Sequence, residues 1–247
     1  MLSRVPTAAI VVFLFIGCLT CGDRTYGDTV QVLEIKPAFA SLTGRVVREN
    51  DRVLVTKFTI EPGQSTGPQM HSTDSLLVFV KGGVLSSDQS HRATLWKDGR
   101  VIWQSMADQP TAGRTNTGST PIEAILVALK PSPTGIPSDT NESPGYYLNY
   151  PNIPGEDILE NDSVVVQRFR LNPGQWEGVH AHRGNQLWIF IKGGLWSSRT
   201  KSTAPTKPQF GPDGTVGWMP AIDISQGHES GNVGTTPRDV VWITLKH

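Results

Sequence analysis

Apolar and polar residues alternate along most of this chain, and the alternation has a period of two. Residues 52–60, 76–80 and 122–129 read as half-buried strands, with bulky or β-branched side chains at every second position or in short runs. The most informative stretch is 173–194, PGQWEGVHAHRGNQLWIFIKGG. His180 and His182 stand two apart, and the apolar run 187–191 ends at Gly193-Gly194. This predicts two strands joined by a short turn at Arg183, Gly184 and Asn185. Side chains at i and i+2 lie on one face of a strand, so both imidazoles point the same way. Gln186 opens the return strand opposite them, and Trp188 and Phe190 share its parity. The Asp98-Gly99 and Asp213-Gly214 pairs predict hairpin turns. Long amphipathic helical patterns are missing, so the chain is expected to be all-β.

The pattern also repeats. Glu49-Asn50-Asp51 recurs as Glu160-Asn161-Asp162 (49 to 160, a shift of 111). The same shift aligns Phe58 with Phe169, Pro62-Gly63-Gln64 with Pro173-Gly174-Gln175, His71 with His182, and Lys81-Gly82-Gly83 with Lys192-Gly193-Gly194. Further on, Asp98-Gly99 and Trp103 answer Asp213-Gly214 and Trp218 at a shift of 115, so one loop is longer in the second copy. Between the copies, PSPTGIPSDTNESPG reads as a linker. The expected division is a signal segment at 1–21, a spacer with an edge strand at 22–48, one unit at 49–130, a linker at 131–156 and a second unit at 157–247.

The first residues differ in kind. Arg4 precedes a short apolar core, Ala8 to Ile16, too short to span a bilayer as a helix, which is the form of an export signal. The ending Phe15-Ile16-Gly17-Cys18 is similar to a bacterial lipobox, in which Cys18 would carry a lipid anchor. The expectation is an exported protein, periplasmic or held at the membrane as a bacterial lipoprotein. Both cysteines, Cys18 and Cys21, fall here, so the folded part has no thiolate ligand and no disulfide. Formal net charge is zero and no basic stripe stands out, which argues against a nucleic-acid partner.

His228 lies downstream in QGHESGN. Three imidazoles and an amide oxygen converging inside a small barrel would make a transition-metal site. The spacing resembles the cupin superfamily, whose first motif runs G-x5-H-x-H-x3-E-x6-G. Gly174, His180, His182, Gln186 and Gly193 occupy those positions, with Gln186 in place of the usual Glu. The second motif's H-x3-N ending is matched by His228 and Asn232. Its earlier Pro and Gly are replaced by Asp223 and Ser225. The resemblance implies an all-β chain of two cupin (double-stranded β-helix, jelly-roll) barrels in tandem. It also implies one divalent transition metal ion, Zn, Fe, Mn, Ni or Cu, held by His180, His182, Gln186 and His228. With no carboxylate among these ligands, the ion's charge stays uncancelled and its pull on an anionic oxygen is stronger.

In the first copy Gln69 answers His180, His71 answers His182, Ser75 answers Gln186, and Ala112 or Gly113 answers His228. That copy is expected to be metal-free, with His71 a hydrogen-bonded polar residue. Trp176, Trp188, Trp196 and Trp242 face Ser65, Leu77, Leu85 and Leu126. Trp176, Trp188 and Phe190 are expected to wall a pocket, and Trp196 and Trp242 to fill the core. Glu177 is the candidate base, although a solvated loop position explains it as well, and Glu229 should point outward. Arg183 would hold a substrate carboxylate or simply sit in a surface turn. Lys81 and Lys192 suggest a structural or surface role.

The resemblance implies a metal-dependent enzyme on a small oxygenated substrate, of dioxygenase, isomerase or lyase type. The alternative is a non-catalytic protein of the cell envelope that binds or senses a sugar or organic acid. The expected partner is a small molecule. The chain is expected to be a monomer with an internal pseudo-dimer, or a homodimer.

Overall fold

The computed structural model describes residues 39–69, 72–108, 111–130, 145–201 and 203–246. The expected signal segment, the Cys18 anchor, His71 and the core of the linker lie outside the described residues. Among the described residues the only helical element is a 3-10 turn, Ile224–Gln226.

The first half contributes β1 (Arg45–Glu49), β2 (Val53–Ile60), β3 (Ser75–Lys81), β4 (Gly83–Ser87), β5 (Ala93–Trp96), β6 (Val101–Gln104), β7 (Arg114–Asn116) and β8 (Ile122–Leu129). The second contributes β9 (Glu156–Glu160), β10 (Val164–Leu171), β11 (Gln186–Lys192), β12 (Gly194–Thr200), β13 (Gln209–Gly211), β14 (Val216–Met219), β15 (His228–Asn232) and β16 (Arg238–Leu245). In each half a five-stranded antiparallel sheet faces a three-stranded one. The orders are β1-β2-β8-β3-β6 with β5-β4-β7, then β9-β10-β16-β11-β14 with β13-β12-β15. The second half thus repeats the first strand for strand.

Period-two alternation sorts each central strand into two faces. On β16, Val240 and Trp242 turn into the second barrel, while Val241, Ile243 and Leu245 turn away from it. On β11, Phe190 points in and Leu187, Ile189 and Ile191 point out. The first barrel behaves alike, with Phe58, Phe79 and Ala124 inside and Val55, Val78 and Ile125 outside. These outward residues carry no charge to meet solvent. They form one buried core shared by the two five-stranded sheets. Burial of each such side chain contributes on the order of 1.5–3 kcal/mol, so the halves are joined chiefly through this seam.

Charged pairs repeat around it. Lys57 pairs with Glu123 at 2.8 Å, and its counterpart Arg168 pairs with Asp239 at 2.6 Å. A Cβ added to Gly214 would lie 2.7 Å from Lys57 Nζ, and one added to Gly99 would lie 2.2 Å from Arg168 Cζ. Each half's Asp-Gly turn therefore sits on the other half's basic residue, the self-complementary arrangement of a two-fold interface. Lys192 reaches Asp98 of the first half at 3.1 Å and Asp213 of its own at 3.6 Å.

Two expectations need correction. The Asp-Gly pairs do not close hairpins, because β5 and β6, like β13 and β14, belong to different sheets. The turn instead carries the chain between layers. Asp98 Oδ1 accepts the Gly82 N–H at 2.8 Å and Asp213 Oδ1 the Gly193 N–H at 2.7 Å. Here the backbones approach so closely that a Cβ on Gly193 would lie 2.0 Å from the Gly211 carbonyl oxygen. Secondly, the stretch expected as linker up to residue 156 is partly structural. Leu148, Tyr150 and Ile153 are buried in the second barrel, and the Leu148 N–H donates to Gln167 Oε1 at 2.6 Å. Phe39 and Leu42 are buried likewise in the first barrel. Phe39 and Tyr150 are 111 residues apart and pack on Phe58 and Phe169, so the repeat begins before the first long strand.

Candidate metal centre

His180 and His182 lie on a segment antiparallel to 222–228. His180 exchanges backbone hydrogen bonds with His228 (2.9 and 3.1 Å), and His182 with Ile222 (3.0 and 2.8 Å). The turn that follows uses Gly184 at φ 89° and Asn185 at φ 51°. Glycine and asparagine are the residues that enter the left-handed region at least cost. The chain then returns as β11, where Gln186 pairs with Thr244 of β16.

The three imidazoles converge. His182 Nε2 lies 2.9 Å from His180 Nε2 and 3.0 Å from His228 Nε2. The other ring nitrogens are engaged elsewhere, which fixes two tautomers. His180 Nδ1 lies 2.8 Å from the Gly178 carbonyl oxygen, which only accepts, so the proton is on Nδ1. His182 Nδ1 lies 2.7 Å from Gln186 Oε1, while Gln186 Nε2 donates to Thr244 Oγ1 at 3.0 Å. The bare Nε2 lone pairs of His180 and His182 therefore face each other, and a cation between them relieves the repulsion. For a metal–imidazole bond of about 2.0–2.1 Å, neighbouring ligand nitrogens stand roughly 2.9 Å apart at right angles and roughly 3.4 Å apart in a tetrahedron. The two observed edges fall within the range expected of nitrogens bound to one ion.

Electrostatics agree. Burial lowers the pKa of His180 to about 4, assisted by His228. Burial lowers His182 to about 3, assisted by His180, and burial lowers His228 as well. Neutral imidazoles are the ligating form.

The structure places Gln186 differently from the expected fourth ligand. Its oxygen holds the Nδ1 side of His182 instead of joining the three Nε2 atoms. An amide fits that role because it accepts from the imidazole and donates to Thr244 at once, which a carboxylate cannot do. Such partners set ring orientation and ligand basicity.

Glu177 is not a solvated loop residue. It is 6% exposed, and its Oε2 accepts the Ser230 N–H at 3.0 Å and lies 4.0 Å from His180 Nε2. Burial raises its pKa to about 7, against the pull of the Ser230 N–H and of Arg238. A carboxyl group poised near neutrality beside the histidines suits proton transfer. Glu229 turns away to Arg199 Nε (2.7 Å) and the Gly178 N–H (3.1 Å), and is nonetheless buried.

The aromatic expectations are partly reversed. Trp188 and Phe190 do point into the barrel, 4.6 Å apart, with Trp188 packed over Gly217. Trp176 instead lies under the Arg199 guanidinium at 4.1 Å and lines an open groove of about 720 Å³ with Pro151, Asn152 and Val179. Trp242, expected only to fill core, lies beside His182 with ring centroids 5.2 Å apart. Arg183 has its guanidinium 3.9 Å over the Tyr146 ring.

Sequence reasoning missed Tyr150 and Arg238. The Tyr150 ring lies tilted against His180 with centroids 4.5 Å apart, and Arg238 is 4% exposed on the inner face of β16. Parity along β16, from Thr244 back through Trp242 to Arg238, was a readable signal for the second. Tyr150 sits in a Pro- and Gly-rich stretch without periodicity, which offered none.

In the first barrel Gln69 pairs with Thr111 as His180 pairs with His228, so Thr111, not Ala112 or Gly113, stands at the third position. Thr111 Oγ1 donates to Gln69 Oε1 at 2.9 Å, and Ser75 Oγ to Gln104 Oε1 at 3.3 Å. Among the described residues, neutral amides and hydroxyls beside a cavity of about 160 Å³ stand at the positions answering His180, Gln186 and His228.

No protein-family model matches the sequence. The curated proteins give no match either. Solved structures do. The chain is similar to AerE from Microcystis aeruginosa, at 11% identity and a TM-score of 0.58 over 84% of this chain and 93% of that one. It is similar to a cupin 2 conserved barrel domain protein from Leptotrichia buccalis, at 10% identity and a TM-score of 0.50 over 84% and 90%. It is also similar to a salicylate 1,2-dioxygenase from Pseudoaminobacter salicylatoxidans in adducts with gentisate, at 9% identity and a TM-score of 0.51 over 85% and 76%. These likenesses establish architecture: the chain has the cupin fold, built as two barrels, with a three-histidine cluster suited to a metal ion inside the second.

Proposed function

We propose that this protein is an exported metal-binding bicupin whose second barrel carries out metal-dependent chemistry on a small oxygenated substrate. The observation that carries the reading is the set of three converging Nε2 atoms, two of them held as bare lone pairs by the Nδ1 partners Gly178 and Gln186. His180, His182 and His228 would hold one divalent transition ion. When bound, such an ion supplies Lewis acidity and a fixed point for an anionic oxygen. Gln186 and Thr244 keep His182 oriented, and Glu177 takes or returns a proton at Oε2. The apolar walls Trp188, Phe190 and Trp242 exclude water from the chamber. Dioxygenase, isomerase and lyase chemistry all suit this constellation. The apolar segment ending at Cys18 supports export, either cleaved or anchored by a lipid on that thiol. Because the two barrels already form a pseudo-dimer, a monomer or a homodimer is the expected assembly.

The test is reconstitution with Zn, Fe, Mn, Ni or Cu in turn, followed by a screen of small hydroxy, keto and aromatic acids. Oxygen uptake and product formation by mass spectrometry are the readouts. The proposal expects turnover with at least one metal, abolished by chelation and by His228→Ala. Stoichiometric ligand binding with every metal and turnover with none would leave the alternative, a sensing or binding protein of the cell envelope.

A further inference from the structure

Arg238 is buried inside the second barrel, and neither its Nε nor its Nη1 has a hydrogen-bond partner. Its guanidinium lies 4.4 Å over the Phe190 ring, a contact that offsets only part of the cost of a buried cation. Glu177 and Tyr150 are near enough to interact with it electrostatically, yet among the described residues no carboxylate forms an ion pair with it within 4.0 Å. Two more buried polar groups lie in the same barrel, the Tyr150 hydroxyl and the Trp242 Nε1–H; they stand near each other but make no hydrogen bond of good geometry. The Tyr150 ring lies tilted against His180 and Trp242 lies beside His182, so both groups adjoin the histidine cluster.

The first barrel supplies an internal control. At the matching positions it carries Phe39, Ile122 and Leu126, all buried and none with a polar side-chain atom. Arg238, Tyr150 and Trp242 therefore occur together in the barrel with the three-histidine cluster, and apolar residues replace all three in the first barrel. Packing does not require them, since the apolar set fills the same fold. Buried donors without partners are costly, and a bound acceptor removes that cost.

We propose that Arg238, Tyr150 and Trp242 form an anion subsite beside the metal centre, and that it binds the carboxylate of a small organic acid. The assignment deepens the reading above, and rests on it for the claim that the rest of the ligand meets a metal ion. Arg238 would present Nε–H and an Nη–H to the carboxylate, with the phenol and indole donors completing its coordination. Phe190, Trp188 and Trp242 would flank the apolar part of the acid.

The experiment is calorimetric titration of acetate, malonate and benzoate, with benzamide as the uncharged counterpart of benzoate. It is run on zinc-loaded and chelator-stripped full-length protein, on Arg238→Met, and on Tyr150→Phe, which installs the residue of the first barrel. At least one carboxylate is expected to bind, and benzamide not. Arg238→Met is expected to weaken that binding by roughly 30-fold or more, and Tyr150→Phe by a smaller factor. Zinc content should be unchanged in both variants. The first barrel's Ile122 shows that the fold accepts an apolar residue at this position, so Arg238→Met should melt no lower than wild type. Carboxylate binding that survives Arg238→Met, or no binding of any probe to loaded protein, overturns the proposal. So does a lower melting temperature with binding intact, which would assign Arg238 to holding Glu177. Arg238-dependent binding in protein that takes up no zinc would uphold the subsite and sink the metal reading separately.

Discussion

Gln186→Ala separates a residue that positions a ligand from one that is a ligand. In the wild type Gln186 Oε1 stands 2.7 Å from His182 Nδ1, and Gln186 Nε2 3.0 Å from Thr244 Oγ1. Both partners are buried, His182 at 1% and Thr244 at 1% exposure. Truncation strands the His182 N–H without water, which costs about 1–3 kcal/mol. It also frees the ring to place its proton on Nε2, the atom turned toward His180 and His228. Loss of such an orienting partner lowers metal affinity by about 10–100-fold. His182→Ala removes the nitrogen common to both short edges and should abolish binding. Gln186→Glu keeps an acceptor for Nδ1–H and adds a negative charge, so it should bind metal at least as tightly as wild type. Competition against a chromophoric zinc chelator ranks the variants, with urea denaturation as a check on folding. Equal loss in Gln186→Ala and His182→Ala would refute the reasoning, because the amide would then be a ligand in its own right.

Other outcomes follow from the same geometry. Ile243, fully buried in the seam between the barrels, should cost about 2–5 kcal/mol on truncation to Ala, seen in urea midpoints, while metal content stays unchanged. Gly217→Ala places a Cβ 2.1 Å from the Trp188 ring, so Trp188 must move. Destabilisation of about 1–3 kcal/mol and altered tryptophan fluorescence are expected. In metal-free protein His180 and His182 are held by burial at about 4 and about 3, and return toward 6.5 on unfolding. The unfolded chain then binds more protons between these values. Stability is full above pH 6.5 and falls with pH by roughly 1.4 kcal/mol per unit for each histidine. A flat urea midpoint across that window would contradict the burial of neutral imidazoles.

Much of this arrangement was legible because strands encode their faces locally. The parity of Gln186, Trp188 and Phe190 placed them inside the barrel before any fold was known, and His-x-His placed two imidazoles together. The shift of 111 residues exposed the repeat. Less local features were hidden. That Gln186 faces Thr244 depends on the register of β11 against β16, and this register converts an expected ligand into a support for His182. Arg238 reads as an ordinary basic residue at a strand start, and only the closed barrel shows that it is buried with Nε and Nη1 lacking hydrogen-bond partners. Tyr150 lies in a stretch whose prolines and glycine suggest a linker, yet the apolar Leu148 and Ile153 beside it insert with it into the barrel. The Asp-Gly turns show the converse limit. Asp-Gly marks a turn locally, but which sheets the turn connects is a property of the jelly roll.

The most direct test of the central claim is elemental analysis of the protein, purified without a metal-binding tag, beside a His180→Ala/His182→Ala variant. About one transition metal ion per chain in the wild type and none in the folded variant is the expected result. No ion in either, even after metal is added back, would contradict the metal centre and leave the chamber as a site for organic ligands alone.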